Sequence, residues 1–172
     1  MRNIRTGLKP LALGFLVAAA MMIFAVSSPS LAAEAARKAI LSEVRGAVEV
    51  KISPGTWEPA RTGMVLHELD EIRTGPASFT EVLLDDSGKT GRFEVEEKTR
   101  VRLNTMTWNS GTDEKQTLLD VAIGTIKIYV EKLKGKSKFE VNTPTAVLGV
   151  RGTVFKVTVD EKKTESGNTT PA

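Results

Sequence analysis

Through "EVRGAVEVKI", residues 43–52, Val44, Val48, Val50 and Ile52 share one parity, and Glu43, Arg45, Glu49 and Lys51 share the other. A period of two with the apolar residues on a single face predicts a half-buried strand. Short runs of similar character recur at 71–74, 78–84, 91–95, 100–105, 116–123, 124–131, 137–142, 146–150 and 153–159. The clusters between them, such as "SPGTWEP", "TGPAS" and "DDSGKTG", are rich in Gly, Pro, Asp and Ser, which favour tight reversal. No helical period appears after residue 42. The pattern therefore predicts an all-β fold, a single domain of about ten short strands, and leaves a sandwich, a barrel and a solenoid open. Residues 33–41, "AEAARKAIL", predict a short turn of helix or a mobile lead-in, and the polar stretch 160–172 predicts a disordered tail.

One run departs from simple alternation. In "VNTPTAVLGVRGTVFKVTV", residues 141–159, the apolar even positions Ala146, Leu148 and Val150 are expected to face inward before Gly152, and the apolar odd positions Phe155, Val157 and Val159 after it. A change of parity requires a bulge or corner, and Gly152 supplies the backbone freedom for one. Thr143-Pro144 predicts an earlier break, because proline cannot donate to a ladder.

The N-terminus changes the picture of charge. "MRNIRTGLKP" carries Arg2, Arg5 and Lys9, the 16 residues Leu11 to Val26 are uncharged, and "SSPSLAAEAA" offers small residues. That order predicts a secretory signal peptide over residues 1–32, cut after Ala32, with Ala33 as the alternative. Removing it takes away three basic residues and no acidic ones, so 24 Lys and Arg become 21 against 21 Asp and Glu. The exported chain is then formally neutral, which gives no protein-wide attraction to nucleic acid or to an anionic membrane. A local excess stays in "KIYVEKLKGKSKFE", where Lys127, Lys132, Lys134, Lys136 and Lys138 outnumber Glu131 and Glu140; it reads as a solvated strand end and turn. Without cysteine there is no disulfide, no thiolate metal site and no lipid-bearing cysteine. The expectation is a periplasmic protein with no stable membrane anchor after cleavage.

Candidate chemistry is sparse. His67 is the only histidine and no Ser lies in a Gly-x-Ser-x-Gly elbow, so neither a nucleophile with its base nor a zinc set is visible. Asp85-Asp86 precedes Ser-Gly without the alternating spacing of a calcium loop, and reads as a hairpin turn. These features predict a non-enzyme with no metal and no cofactor. Trp57 and Trp108 lie in or beside turns, where indoles either stack on a partner or cap the end of a β core. Arg73 ("IRTG") and Arg151 ("VRGT") have the fork to hold turn carbonyls or a carboxylate. Trp57, Trp108, Arg73 and Arg151 are the candidate partner-binding residues.

The run 141–159 resembles the signature of the FecR domain, the periplasmic module of the ferric citrate sensor family. The resemblance is carried by Val141, Thr143-Pro144, Ala146, Val150, Arg151-Gly152-Thr153, Phe155 and Val157, with weaker likeness upstream in "GAVEV", "WEPARTGMVLHELDEIRTGPASFTEVLLDDSG" and "RVRLN". It spans about residues 42–159. It implies a β-rich, solenoid-like or sandwich-like extracytoplasmic domain that works by binding; in iron-uptake regulators such a domain passes a signal through a transmembrane helix to a cytoplasmic anti-sigma segment. Here only ten residues precede the apolar run. The expectation is therefore a stand-alone exported form that recognises an envelope protein or cell-wall glycan. The alternative is one component of an envelope signalling relay, related to iron-uptake regulation, that acts through a separate membrane partner.

Overall fold

The structure, a computed structural model, describes residues 34–85, 88, 90–150 and 153–160. The expected signal peptide, its cleavage site at Ala32, the tail beyond Asp160 and the Arg151-Gly152 pair lie outside these residues. In chain order the strands are β1 (Glu34–Ala36), β2 (Ala39–Arg45), β3 (Val48–Lys51), β4 (Trp57–Pro59), β5 (Val65–Leu66), β6 (Glu71–Thr74) and β7 (Phe79–Leu84). They continue with β8 (Gly91–Val95), β9 (Arg100–Asn109), β10 (Glu114–Val130), β11 (Lys138–Asn142), β12 (Val147–Val150) and β13 (Thr153–Val159). No helix occurs among the described residues. The expected all-β class is observed, as one continuous curled sheet in which every pairing but the parallel β10–β11 is antiparallel.

The sheet has two wings that share β10. The first half of β10 pairs with β9 on one side and β11 on the other, and the second half pairs with β8 and β13. One wing therefore runs β4-β3-β6-β9-β10-β11-β12, with β1 alongside β9, and the other runs β13-β10-β8-β7-β2-β5. Their inner faces bury one apolar cluster that includes Leu41, Val50, Ile72, Leu84, Phe93, Leu103, Leu119, Ile126 and Val141. Full burial of such side chains stabilises by about 1.5–3 kcal/mol each before the entropy of ordering the chain is set against it.

Strands cross between wings along a row of corners. Gly46-Ala47 separates β2 from β3, residues 75–78 separate β6 from β7, residues 96–99 separate β8 from β9, and β10 itself turns at Gly124 (φ +94°). The corners are laced together by backbone and hydroxyl groups. Gly75 N donates to Ala47 O (2.8 Å), Lys98 N to Gly75 O (3.2 Å), Glu96 N to Thr125 O (3.0 Å), Ala47 N to Ser78 Oγ (2.9 Å) and Thr125 N to Thr99 Oγ1 (2.8 Å). Buried Thr74, Ser78 and Thr99 thus satisfy backbone groups that a bent ladder would otherwise orphan.

Several local expectations change. Residues 33–41 were expected to be helical or mobile, but Ala39 and Leu41 are fully buried in β2 and residues 34–36 form β1; pairing with β7 and β9 overrides the helical composition. The run 43–52 is two strands rather than one, because Gly46 adopts φ +75° and its chain turns into the other wing. The runs 116–123 and 124–131 are one long strand, bent rather than broken. Of the apolar residues expected inside before Gly152, Val150 is buried but Ala146 and Leu148 are exposed, since β12 has only β11 beside it. Beyond it, Val157 is buried and Phe155 and Val159 pack against the core, as the parity predicts.

A polar cluster closes one margin of the core. The Arg37 side chain is 4% exposed; its Nε and Nη2 donate to the two Asp85 oxygens (2.8 and 3.1 Å) and its Nη1 to Thr117 Oγ1 (2.9 Å). The Thr90 hydroxyl also donates to Asp85 Oδ2, and Lys115 Nζ stands 3.7 Å from it. Burial pulls the Asp85 carboxyl upward, but hydrogen bonds from Arg37 and Thr90, with the charges of Arg37 and Lys115, outweigh it and hold the group below its ordinary value. A depressed carboxylate contributes stability above its unfolded pKa of about 3.9, and that contribution is lost as pH falls through the lower folded value. Urea titrations should therefore show stability dropping below about pH 4, with a shallower acid limb in Asp85→Asn. Equal acid limbs would remove Asp85 as the cause.

Candidate functional site

Of the four candidate partner-binding residues, the fold brings two together. Trp57 lies on β4 opposite Lys51 of β3, and Arg73 lies on β6 opposite Glu49 of β3. The Arg73 guanidinium carbon sits 4.3 Å from the centroid of the Trp57 ring, and that of Arg100, on β9 opposite Arg73, sits 5.5 Å away. Each guanidinium is also held by a carboxylate: Arg73 Nε donates to Glu49 Oε2 (2.6 Å), and Arg100 Nε and Nη2 donate to Glu71 Oε2 (3.0 and 2.7 Å). The hydrogen bond from Arg73 holds Glu49 below the usual carboxylate range and raises Arg73 in turn. Alternation on β3, β6 and β9 buries Val50, Ile72 and Val101, so this patch of indole, cations and anions occupies the outer face.

Its chemistry is that of a stacked, paired surface. The indole is a platform for two guanidinium groups whose forks are already engaged, an arrangement that fixes side chains across four strands. Trp57→Ala removes both cation–π contacts and should lower stability by about 1–2 kcal/mol, read from the urea midpoint. A change below about 0.3 kcal/mol would show that the stack contributes little. The sequence signalled Trp57 and Arg73 by their turn contexts but not Arg100, because its place beside the indole follows from cross-strand register.

Trp108 stands apart. It lies on β9 six residues beyond Arg102, which shares a cross-strand row with Glu71, Lys51 and Trp57. At about 3.3 Å per residue and about 4.8 Å per strand, the two indoles are separated by roughly 20 Å along β9 and roughly 14 Å across the strands. Trp108 is 36% exposed, pairs with Ala35 and Lys115, and donates from Nε1 to Asp113 Oδ1 (3.0 Å) across the β9–β10 turn. Arg151 lies outside the described residues. His67 is exposed, and Asp85 is occupied by Arg37.

Of the motif residues that the structure describes, Thr143 and Pro144 lie in a turn and Thr153 and Phe155 on β13. Thr143 N and Oγ1 both donate to Ala146 O (2.8 and 3.0 Å), and Ala146 N donates to Thr143 Oγ1 (3.0 Å), which closes the β11–β12 hairpin around Pro144. Beside it, a groove of about 500 Å³ is lined by Ala122, Ile123, Pro144, Val159 and Asp160 among others. A second groove of about 540 Å³ shares Ile123, Val159 and Asp160, and runs past the corners to Lys98 and Arg100. Beyond the motif, Phe155 pairs with Ile128 and packs against the core. Among the described residues, no three His, Cys, Asp or Glu side chains gather as a metal set.

Comparison with known proteins adds one match. No curated protein and no solved structure is significantly similar to the chain. The family described as FecR protein matches residues 70–167, which is more than half of the chain and covers β6 to β13 with the shared strand β10 at its centre. The chain belongs to the FecR protein family.

Proposed function

We propose that this chain is a non-catalytic binding module of the cell envelope, exported on residues 1–32, working in the periplasm without metal or cofactor, and recognising an envelope protein or a cell-wall glycan. The observation that carries this reading is the FecR match from β6 to β13. The curled sheet supports it, because its margins at β12 and β13 leave main-chain groups on which an extended partner can pair without any catalytic constellation. In-cell crosslinking of the tagged chain tests the reading. Capture of a defined envelope protein or glycan fragment is expected, and capture of cytoplasmic proteins alone would overturn it.

Family membership also favours a second reading, in which the domain is one component of an envelope signalling relay related to iron-uptake regulation and hands its message to a separate membrane protein. Deleting the gene should then alter transcription of a metal-uptake or envelope regulon. A flat expression profile would remove the relay and leave the binding role standing.

A further inference from the structure

Three of the six large apolar side chains exposed among the described residues fall within residues 147–154: Val147 (64%), Leu148 (39%) and Val154 (62%). Val147 and Leu148 lie on β12, which pairs with β11 on one side and with no described strand on the other, while Val154 lies on β13. Natural edges are blunted by charge, proline or a bulge. β13 carries Lys156 in that role, paired with Glu96, whereas Val147-Leu148-Gly149-Val150 carries no charge. A Cβ placed on Gly149 would meet nothing within 4 Å, so this margin is open.

A cationic segment stands at one end of that edge. Lys132, Lys134, Lys136 and Lys138 are exposed, and among the described residues none of them is in an ion pair. They lead into β11, whose Phe139 pairs with Val150, so they lie beside the Val150 end of β12. Between the two features, a groove of about 280 Å³ is lined by Ser137, Lys138, Phe139, Glu140, Gly149 and Val150. The chain's own polar stretch after Asp160 has no large apolar residue to set against Val147 and Leu148.

We infer that β12 receives an extended strand from a partner protein, an apolar segment whose acidic N-terminal end meets Lys132 to Lys138. Antiparallel addition continues the β11–β12 pattern and places the partner's first residues beside Val150. Main-chain bonds along β12 and burial of Val147 and Leu148 hold the segment, while the lysines select it by charge and set its direction. The inference rests on the binding role proposed above and names the surface that performs it.

The test uses the whole purified chain and two labelled peptides, each four Val-Thr repeats preceded by either three glutamates or three lysines. The glutamate peptide should bind, slow amide exchange across residues 147–150, and weaken as salt rises. The lysine peptide should bind at least about tenfold more weakly. Val147→Lys, at an exposed position that leaves the core intact, and the triple variant Lys134→Glu, Lys136→Glu, Lys138→Glu should each cost about tenfold in affinity. No binding of the glutamate peptide, equal affinity for the two peptides, protection elsewhere than β12, or unchanged affinity in both variants would overturn the inference. Adsorption to phosphatidylglycerol vesicles that depends on the lysines but not on Val147 would assign the cationic segment to a lipid surface and likewise overturn it. Partner capture in cells that survives both variants would leave the binding role standing and refute this surface alone. Peptide binding with no capture by the unaltered chain would do the reverse.

Discussion

Arg37→Ala is expected to cost about 3–5 kcal/mol, a large share of the roughly 5–15 kcal/mol that holds a domain together. The side chain is 4% exposed and serves three groups at once: Asp85 after β7, and Thr117 and the Gln116 carbonyl on β10. Truncation leaves the Asp85 carboxylate beside the core with only Thr90 and Lys115 to balance it. Most of the cost is therefore that of a part-buried carboxylate stripped of its bidentate partner, together with the space the Arg37 side chain vacates, not of one lost contact. The paired change Arg37→Met with Asp85→Leu removes both charges together and should be less damaging than Arg37→Ala alone. Urea unfolding of the three variants checks this, and a double variant as unstable as the single one would show that the cluster acts through shape instead.

Gly124→Ala is the second severe change, at about 2–6 kcal/mol from backbone strain and overlap combined. Gly124 holds φ +94° where β10 passes from one wing to the other, and an added Cβ would stand 2.7 Å from the Lys98 carbonyl oxygen and overlap Thr99. Thr99 cannot retreat freely, since its hydroxyl accepts from Thr125 N and its carbonyl accepts from Thr74 N. Gly149→Ala is the control: its Cβ meets nothing within 4 Å, and the change should stay within about 0.5 kcal/mol. Equal effects at the two glycines would refute the corner at Gly124.

These two sites show where the sequence was legible and where it was not. Period-two alternation located β6, β8 and β13 to the residue, because a strand with one buried face writes its period into the chain. The bend of β10 was present as a pattern too. Leu119 and Val121 are buried on odd positions and Ile126, Ile128 and Val130 on even ones, but the glycine between them reads equally as the end of a strand. Only the pairing of both halves with β8, β9, β11 and β13 makes it one element. Arg37 was hidden for a related reason. Its partners lie 48 and 80 residues away, and "AEAARKAIL" has local helix propensity that long-range pairing overrides. At the candidate site, composition pointed to Trp57 and Arg73, but their stacking with Arg100 follows from register across three other strands. Ala146 and Leu148, at the β12 edge, were expected inside and are exposed, because alternation reports which residues could be covered and not whether a neighbour exists to cover them.

Both functional readings and the proposed strand site require that the domain be exported. Fractionation of cells making the tagged protein, followed by intact-mass measurement of the chain from each fraction, tests that requirement directly. The expected result is a periplasmic or secreted chain that begins at Ala33, or at Glu34 if cleavage follows Ala33. A chain retaining Met1 and residing in the cytoplasm would contradict it.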